Sequence, residues 1–211
     1  MSEVLEVSRV SHHYGSGAAR SRVLDDVTVS LHTAAVLALV GRSGSGKSTL
    51  CHLMAGFTRP DEGSVLIDGQ DAGAIDDWAK VSVCPQRIGL AEEFTVEENV
   101  LLPCSVRNLT PISGLLDILG LSEVARRPAR DTSLGEQQRA GVARALVTAP
   151  RLAILDEPTG HQDDRNAERV VAAIDLARQH GTAVVVATHD ERLLASADHV
   201  VRLAGGRLRR Q

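Results

Sequence analysis

With 211 residues, a net charge of −4 and no long basic run, the chain can bury a complete core and offers no nucleic-acid surface. Aromatic residues make up 2% of it against 43% hydrophobic residues, so the core must be aliphatic, as suits a buried parallel sheet covered by helices. Cys51, Cys84 and Cys104 form no C-x-x-C pair, which argues against a zinc site or a disulfide framework and predicts a reducing compartment.

Residues 4–10 and 23–31 have strand composition and are joined by a polar, glycine-bearing turn from Tyr14 to Ser21. Tyr14, the only tyrosine, either stacks on a purine base or packs on the sheet rim. The apolar run 34–40 then delivers Gly41, Arg42, Ser43, Gly44, Ser45, Gly46, Lys47, Ser48 and Thr49. This stretch meets the pattern G-x-x-x-x-G-K-[ST] in the strand-loop-helix context that a phosphate-binding loop requires. Glycines let successive N–H groups face an anion, Lys47 adds a positive charge, and Ser48 offers a hydroxyl to magnesium. The helix that starts here points its positive dipole end the same way.

A helix over 47–55 is expected to end at Gly56, followed by a turn at 60–63 and a strand at 64–67 closed by Asp68-Gly69. Residues 81–84 form another strand that runs into Pro85-Gln86. Thr95 with Glu98 makes a capping box, and 112–121 is amphipathic, so 89–131 reads as a helical sub-domain interrupting the strand-helix alternation. Ser133 with Glu136 is a second capping box, opening a helix to about Thr148. The strand 152–155 ends in Asp156-Glu157, a helix at 163–180 stops at Gly181, and the β-branched strand 182–187 ends in Thr188-His189-Asp190. A last helix and strand follow, then a Gly205-Gly206 turn; Arg207, Arg209 and Arg210 read as a solvated tail. The alternation predicts a mainly parallel, doubly wound sheet.

Ligands of such sheets collect at the carboxyl ends of the strands. Lys47-Ser48, Gln86, Asp156-Glu157 and His189 all stand at strand ends, so the topology predicts one pocket around a phosphate clamp, an amide, two acids and an imidazole. Asp156 is placed to hold magnesium and Glu157 to polarise an attacking water, while His189 contacts the terminal phosphate or orients that water. The other histidines have no comparable setting.

Taken in order, these features resemble the ATP-binding cassette ATPases over essentially the whole length. The aromatic loop falls at Tyr14, Walker A at 41–49, the Q-loop at Gln86, the signature at 132–136, Walker B at 152–157, the D-loop at 160–163 and the switch histidine at His189. The phrases TVEENVLLP, GEQQR, DEPTG and VVATHD are most similar to the compact subunits of macrolide-exporter and lipoprotein-releasing type, including the related cell-division ATPase. The resemblance implies an α/β P-loop NTPase, a mainly parallel sheet with an antiparallel N-terminal β subdomain and a helical subdomain insertion. One ATPase domain would span 1–211, its helical subdomain at 89–131 extending through the signature helix to about 149. It implies ATP and Mg2+ as cofactors, with Tyr14 on adenine and Ser48, Gln86 and Asp156 about the metal. Lys47, Gln86, Glu157 and His189 would act in hydrolysis, with Glu157 as base. Ser133, Gly135 and Glu136 would come from a second copy, making a homodimer.

The implied partner is an integral membrane permease, and the implied location is the cytoplasmic face of the membrane; no signal peptide precedes Glu3 and no apolar run approaches the roughly 18–20 residues of a span. The alternative is an ATP switch that signals through a membrane partner without transport. Three departures stand out. Leu134 replaces the first glycine of L-S-G-G-Q/E, and either crowds the nucleotide or points away from it. Gln162 stands where leucine usually precedes the D-loop aspartate, and the linker from Asn99 to Thr132 is short for the family.

Overall fold

The computed structural model describes residues 2–15, 21–77 and 79–210, so most of the expected turn after Tyr14 lies outside the described residues. Its centre is a six-stranded sheet in the order β10(Arg207–Arg210), β9(His199–Ala204), β3(Val36–Val40), β8(Ala183–Ala187), β7(Leu152–Asp156), β6(Val81–Cys84). All neighbours are parallel except β9 and β10. A second, antiparallel sheet runs β2(Ser21–His32), β1(Glu3–Tyr14), β4(Glu62–Ile67), β5(Gln70–Asp71).

Every residue of β3, β7 and β8 is buried, as strands covered on both faces must be. The two-residue period of a strand then sorts their side chains into two cores. Leu37, Leu39, Leu152, Ile154 and Val185 face α1(Lys47–Met54) and the antiparallel sheet. Val36, Ala38, Leu155, Val184 and Val186 face the other way, onto a helical layer. That layer is built from α2(Val96–Arg107), α3(Leu115–Ile118), α4(Leu134–Leu146) and α5(Asp164–Gln179).

Both expected capping boxes are present, Thr95 with Glu98 on α2 and Ser133 with Glu136 on α4. The amphipathic stretch 112–121 differs from expectation: only the four residues of α3 are helical, because Gly114 and Gly120 take φ of 76° and 63° at its two ends. The arginine-rich end is not a solvated tail. Gly205 and Gly206, at φ 58° and 77°, turn the chain back so that β10 pairs with β9, and Arg207 Nε donates to Asp25 Oδ2 at 2.7 Å. The last helix, α6(Glu191–Ser196), follows β8.

Candidate functional site

The loop between β3 and α1 is held by backbone demands at two glycines. A Cβ on Gly41 would lie 2.5 Å from Ser45 Oγ and 2.6 Å from Leu203 O, and Gly46 takes a φ of 102° that L-residues rarely adopt. Ser45 N donates to Arg42 O at 3.1 Å, and Lys47 Nζ reaches back to Gly41 O at 2.8 Å. Gly46 caps α1 with no side-chain hydrogen bond, and the first turn holds no acidic residue. By contrast α2, α4, α5 and α6 are capped by Thr95, Ser133, Asp163 and Asp190. The first N–H groups of α1 are therefore left for an anion, together with the helix dipole and the Lys47 charge.

The strand ends converge on this loop. Together with Val23 of β2, the loop glycines and serines, Lys47, Gln86, Asp156, Glu157, Gly160 and His189 line one cavity of about 610 Å³. Ser48 Oγ donates to Asp156 Oδ2 at 2.8 Å, joining α1 to the end of β7, and Asp156 is only 7% exposed. A hydroxyl and a buried carboxylate, with the Gln86 amide on the same wall, form an oxygen donor set that fits a small, hard divalent cation.

Glu157, next in the chain, turns to the other side through a φ of 51°, its N–H donating to Ala187 O at 2.8 Å. His189 Nδ1 lies 3.0 Å from Glu157 Oε2, at an angle that makes no hydrogen bond. That buried oxygen has no hydrogen-bond donor among the described residues, so it can take one from a water in the cavity.

Tyr14 and Arg42 lie outside the cavity wall. Tyr14 is 48% exposed, its hydroxyl accepts from Thr49 Oγ1 at 3.4 Å, and the His12 ring meets it edge-on with centroids 5.1 Å apart. The ring is thus an exposed platform braced beside the loop. Ser133, Gly135 and Glu136 do not line the cavity either. Ser133 N and Oγ both donate to Glu136 Oε2, at 2.7 and 2.8 Å, and Leu134 beside them is 56% exposed. Burial pushes the Glu136 carboxyl up, but these hydrogen bonds, with Arg139 and Arg127 nearby, hold it below the usual carboxylate range.

Sequence reasoning missed the residues that hold the loop after β7 from behind. Gln138 Nε2 donates to Glu157 O at 3.3 Å, and Arg139 Nη1 donates to Gln162 Oε1 at 2.6 Å. Both are buried on α4, and no sequence signal set them apart, because Glu136, Gln137 and Arg144 on the same helix are long and polar too. Asp190 was read only as part of a strand end, yet it caps α6 and accepts from Arg192 Nε at 3.0 Å.

A family model described as ABC transporter matches residues 24–160. The lipoprotein-releasing system ATP-binding protein LolD of Shewanella frigidimarina is 37% identical over 217 residues, 96% of this chain and 91% of that protein. LolD of Geobacter metallireducens is likewise 37% identical, over 99% of each chain. Among solved structures, a dimeric ATP-binding cassette in a post-hydrolysis state with ADP and Pi superposes with a TM-score of 0.87 at 27% identity, covering 98% of this chain and 97% of the other. A bacterial ABC transporter cassette, also solved as a dimer, gives 0.86 at 28% identity, with coverage of 98% and 97%.

Proposed function

The chain belongs to the ABC transporter family of ATP-binding cassettes, and from that premise we propose how its residues divide the work of hydrolysing ATP for a membrane partner. The observation that carries the assignment is the single cavity in which the uncapped start of α1, the Ser48–Asp156 pair and the donor-free oxygen of Glu157 meet. The loop N–H groups and Lys47 hold the phosphates, and Tyr14 offers its exposed face to the base. Ser48, Asp156 and Gln86 would hold Mg2+, which supplies neutralisation of the charge on the transferring phosphoryl group. Glu157 accepts a proton from the attacking water, and His189, 3.0 Å from its Oε2, orients that water or contacts the terminal phosphate.

Ser133, Gly135 and Glu136 stand outside the cavity of their own chain and serve the cavity of a second copy. A two-fold, isologous pair then forms two complete sites and closes. The helical subdomain spans about 89–131 and extends through α4. Between it and α1 lies a groove of about 480 Å³ bearing Phe57, 67% exposed, with Leu102, Pro103 and Arg144 in its wall. This groove takes the membrane subunit, in a system of the lipoprotein-releasing kind. Among the described residues no helix is long and apolar enough to cross a membrane. In this reading the chain meets the cytoplasmic face of the membrane through that partner.

Glu157→Gln tests the assignment. Nucleotide binding should persist, turnover should fall by roughly 100-fold or more, and ATP should shift the variant to a dimer on a sizing column. A variant that hydrolyses ATP at the original rate would overturn the assignment.

A further inference from the structure

Gln162 sits in the loop that carries Glu157, and both ends of its side-chain amide are bound to α4. Nε2 donates to Gly135 O at 3.0 Å, and Oε1 accepts from Arg139 Nη1 at 2.6 Å. Arg139 is itself fixed, 6% exposed, with Nε donating to Leu119 O at 2.8 Å. An apolar side chain at position 162 could make neither bond and would leave the Arg139 guanidinium buried with one partner fewer. Gly135 O belongs to the first turn of α4, where Ser133 and Leu134 are presented to solvent, so the amide holds the backbone of the segment that the dimer reading lends to the other site.

Resting on that reading, we propose that Gln162 is a positioning residue: through Gly135 O and Arg139 it presets the first turn of α4 in the geometry that the second copy's nucleotide requires, so that less ordering is needed when the dimer closes. Presetting a binding segment lowers the cost of association without adding a contact to the ligand. It also ties the loop of one site to the segment given to the other. The effect belongs to dimer closure, and nucleotide capture by a separate chain does not depend on it.

The test uses the full chain with Glu157→Gln, which accumulates the closed form, carrying Gln162→Leu or Gln162→Glu. Leucine removes both hydrogen bonds. Glutamate keeps the acceptor for Arg139 and sets a carboxylate oxygen against Gly135 O. The ATP concentration for half-maximal dimer, read by analytical ultracentrifugation, should rise roughly tenfold for Gln162→Leu. It should also rise for Gln162→Glu, whose buried arginine remains paired and whose melting temperature should stay near that of the parent. Binding of a fluorescent ATP analogue to the dilute, separate chain should change less than about twofold in both.

A fall in melting temperature with unchanged dimer formation would make Gln162 merely structural and overturn the proposal. Equal losses in analogue binding and in dimer formation would overturn it too. If the parent Glu157→Gln chain with Gln162 intact forms no dimer with ATP, the dimer reading itself fails and the proposal goes with it.

Discussion

The starts of α1 and α4 present opposite solutions to the same problem. Each helix opens with N–H groups that lack an intrahelical acceptor. At α1 the cap is Gly46, no side chain intervenes, and the Lys47 ammonium reaches across the loop to Gly41 O. At α4 the Ser133 hydroxyl and the Glu136 carboxylate satisfy each other's backbone N–H groups. The first therefore leaves its N–H groups to water or to an anion from outside the chain. At the second the capping box already uses the N–H groups of Ser133 and Glu136, and the Ser133 hydroxyl donates to Glu136 Oε2 at 2.8 Å, so engaging a phosphate of another copy through that hydroxyl means giving up that donation. Under the proposed function, tight capture by α1 and reversible engagement by α4 follow from which donors are already used.

The largest effect should come from emptying the first site of its charge. Lys47→Ala is expected to weaken nucleotide binding by the separate chain roughly 10- to 100-fold, by loss of a charge-assisted contact, measured by titration with a fluorescent analogue; binding within twofold of the original would break the contrast. Ser133→Ala should act on the other side alone. It should weaken ATP-dependent dimer formation about tenfold and lower the melting temperature by roughly 2–4 °C through loss of the cap, while the separate chain binds nucleotide as before. Leu134→Gly sharpens the comparison further. If the leucine crowds the second copy's nucleotide, relief of roughly 1 kcal/mol of overpacking lowers the ATP needed for half-maximal dimer about fivefold; no change places the side chain away from the nucleotide.

The smallest effect is one of pH. The Glu136 carboxyl is held below its ordinary value, so its contribution to stability is complete above that value and is lost as pH falls through the depressed one. Melting curves of Glu136→Gln, which keeps the hydrogen-bonding shape without the charge, should lose less stability than the parent as the solution is acidified through that window.

What was legible in the sequence followed local rules. The capping boxes, the β3-loop-α1 unit and the strand-end acids are set by residues within a few positions of each other, and the structure has them where the patterns put them. The convergence of Lys47, Gln86, Asp156, Glu157 and His189 was legible too, because parallel strands bring their carboxyl ends to one side. Long-range pairings were hidden. Nothing local to Gln162 announces Arg139, 23 positions away, and nothing in a run of arginines at the end announces Asp25 on a strand near the beginning. The stretch 112–121 failed for another reason: its apolar period is helical, but Gly114 and Gly120 take left-handed φ at no steric cost, whereas glycine inside a helix costs about 1 kcal/mol relative to alanine, so the helix stops at both.

The pairing of Arg207 with Asp25 bears on the order in which the molecule opens. Asp25 N also donates to Gly206 O at 2.9 Å, so the final hairpin is bonded to β2 two residues from Val23, which lines the nucleotide cavity. A terminal strand ordinarily frays first and exchanges its amide hydrogens fastest. Here the hairpin is bound to the other sheet at Gly206 and Arg207, so the β10 amides are expected to exchange no faster than those of β2, along the edge of the cavity.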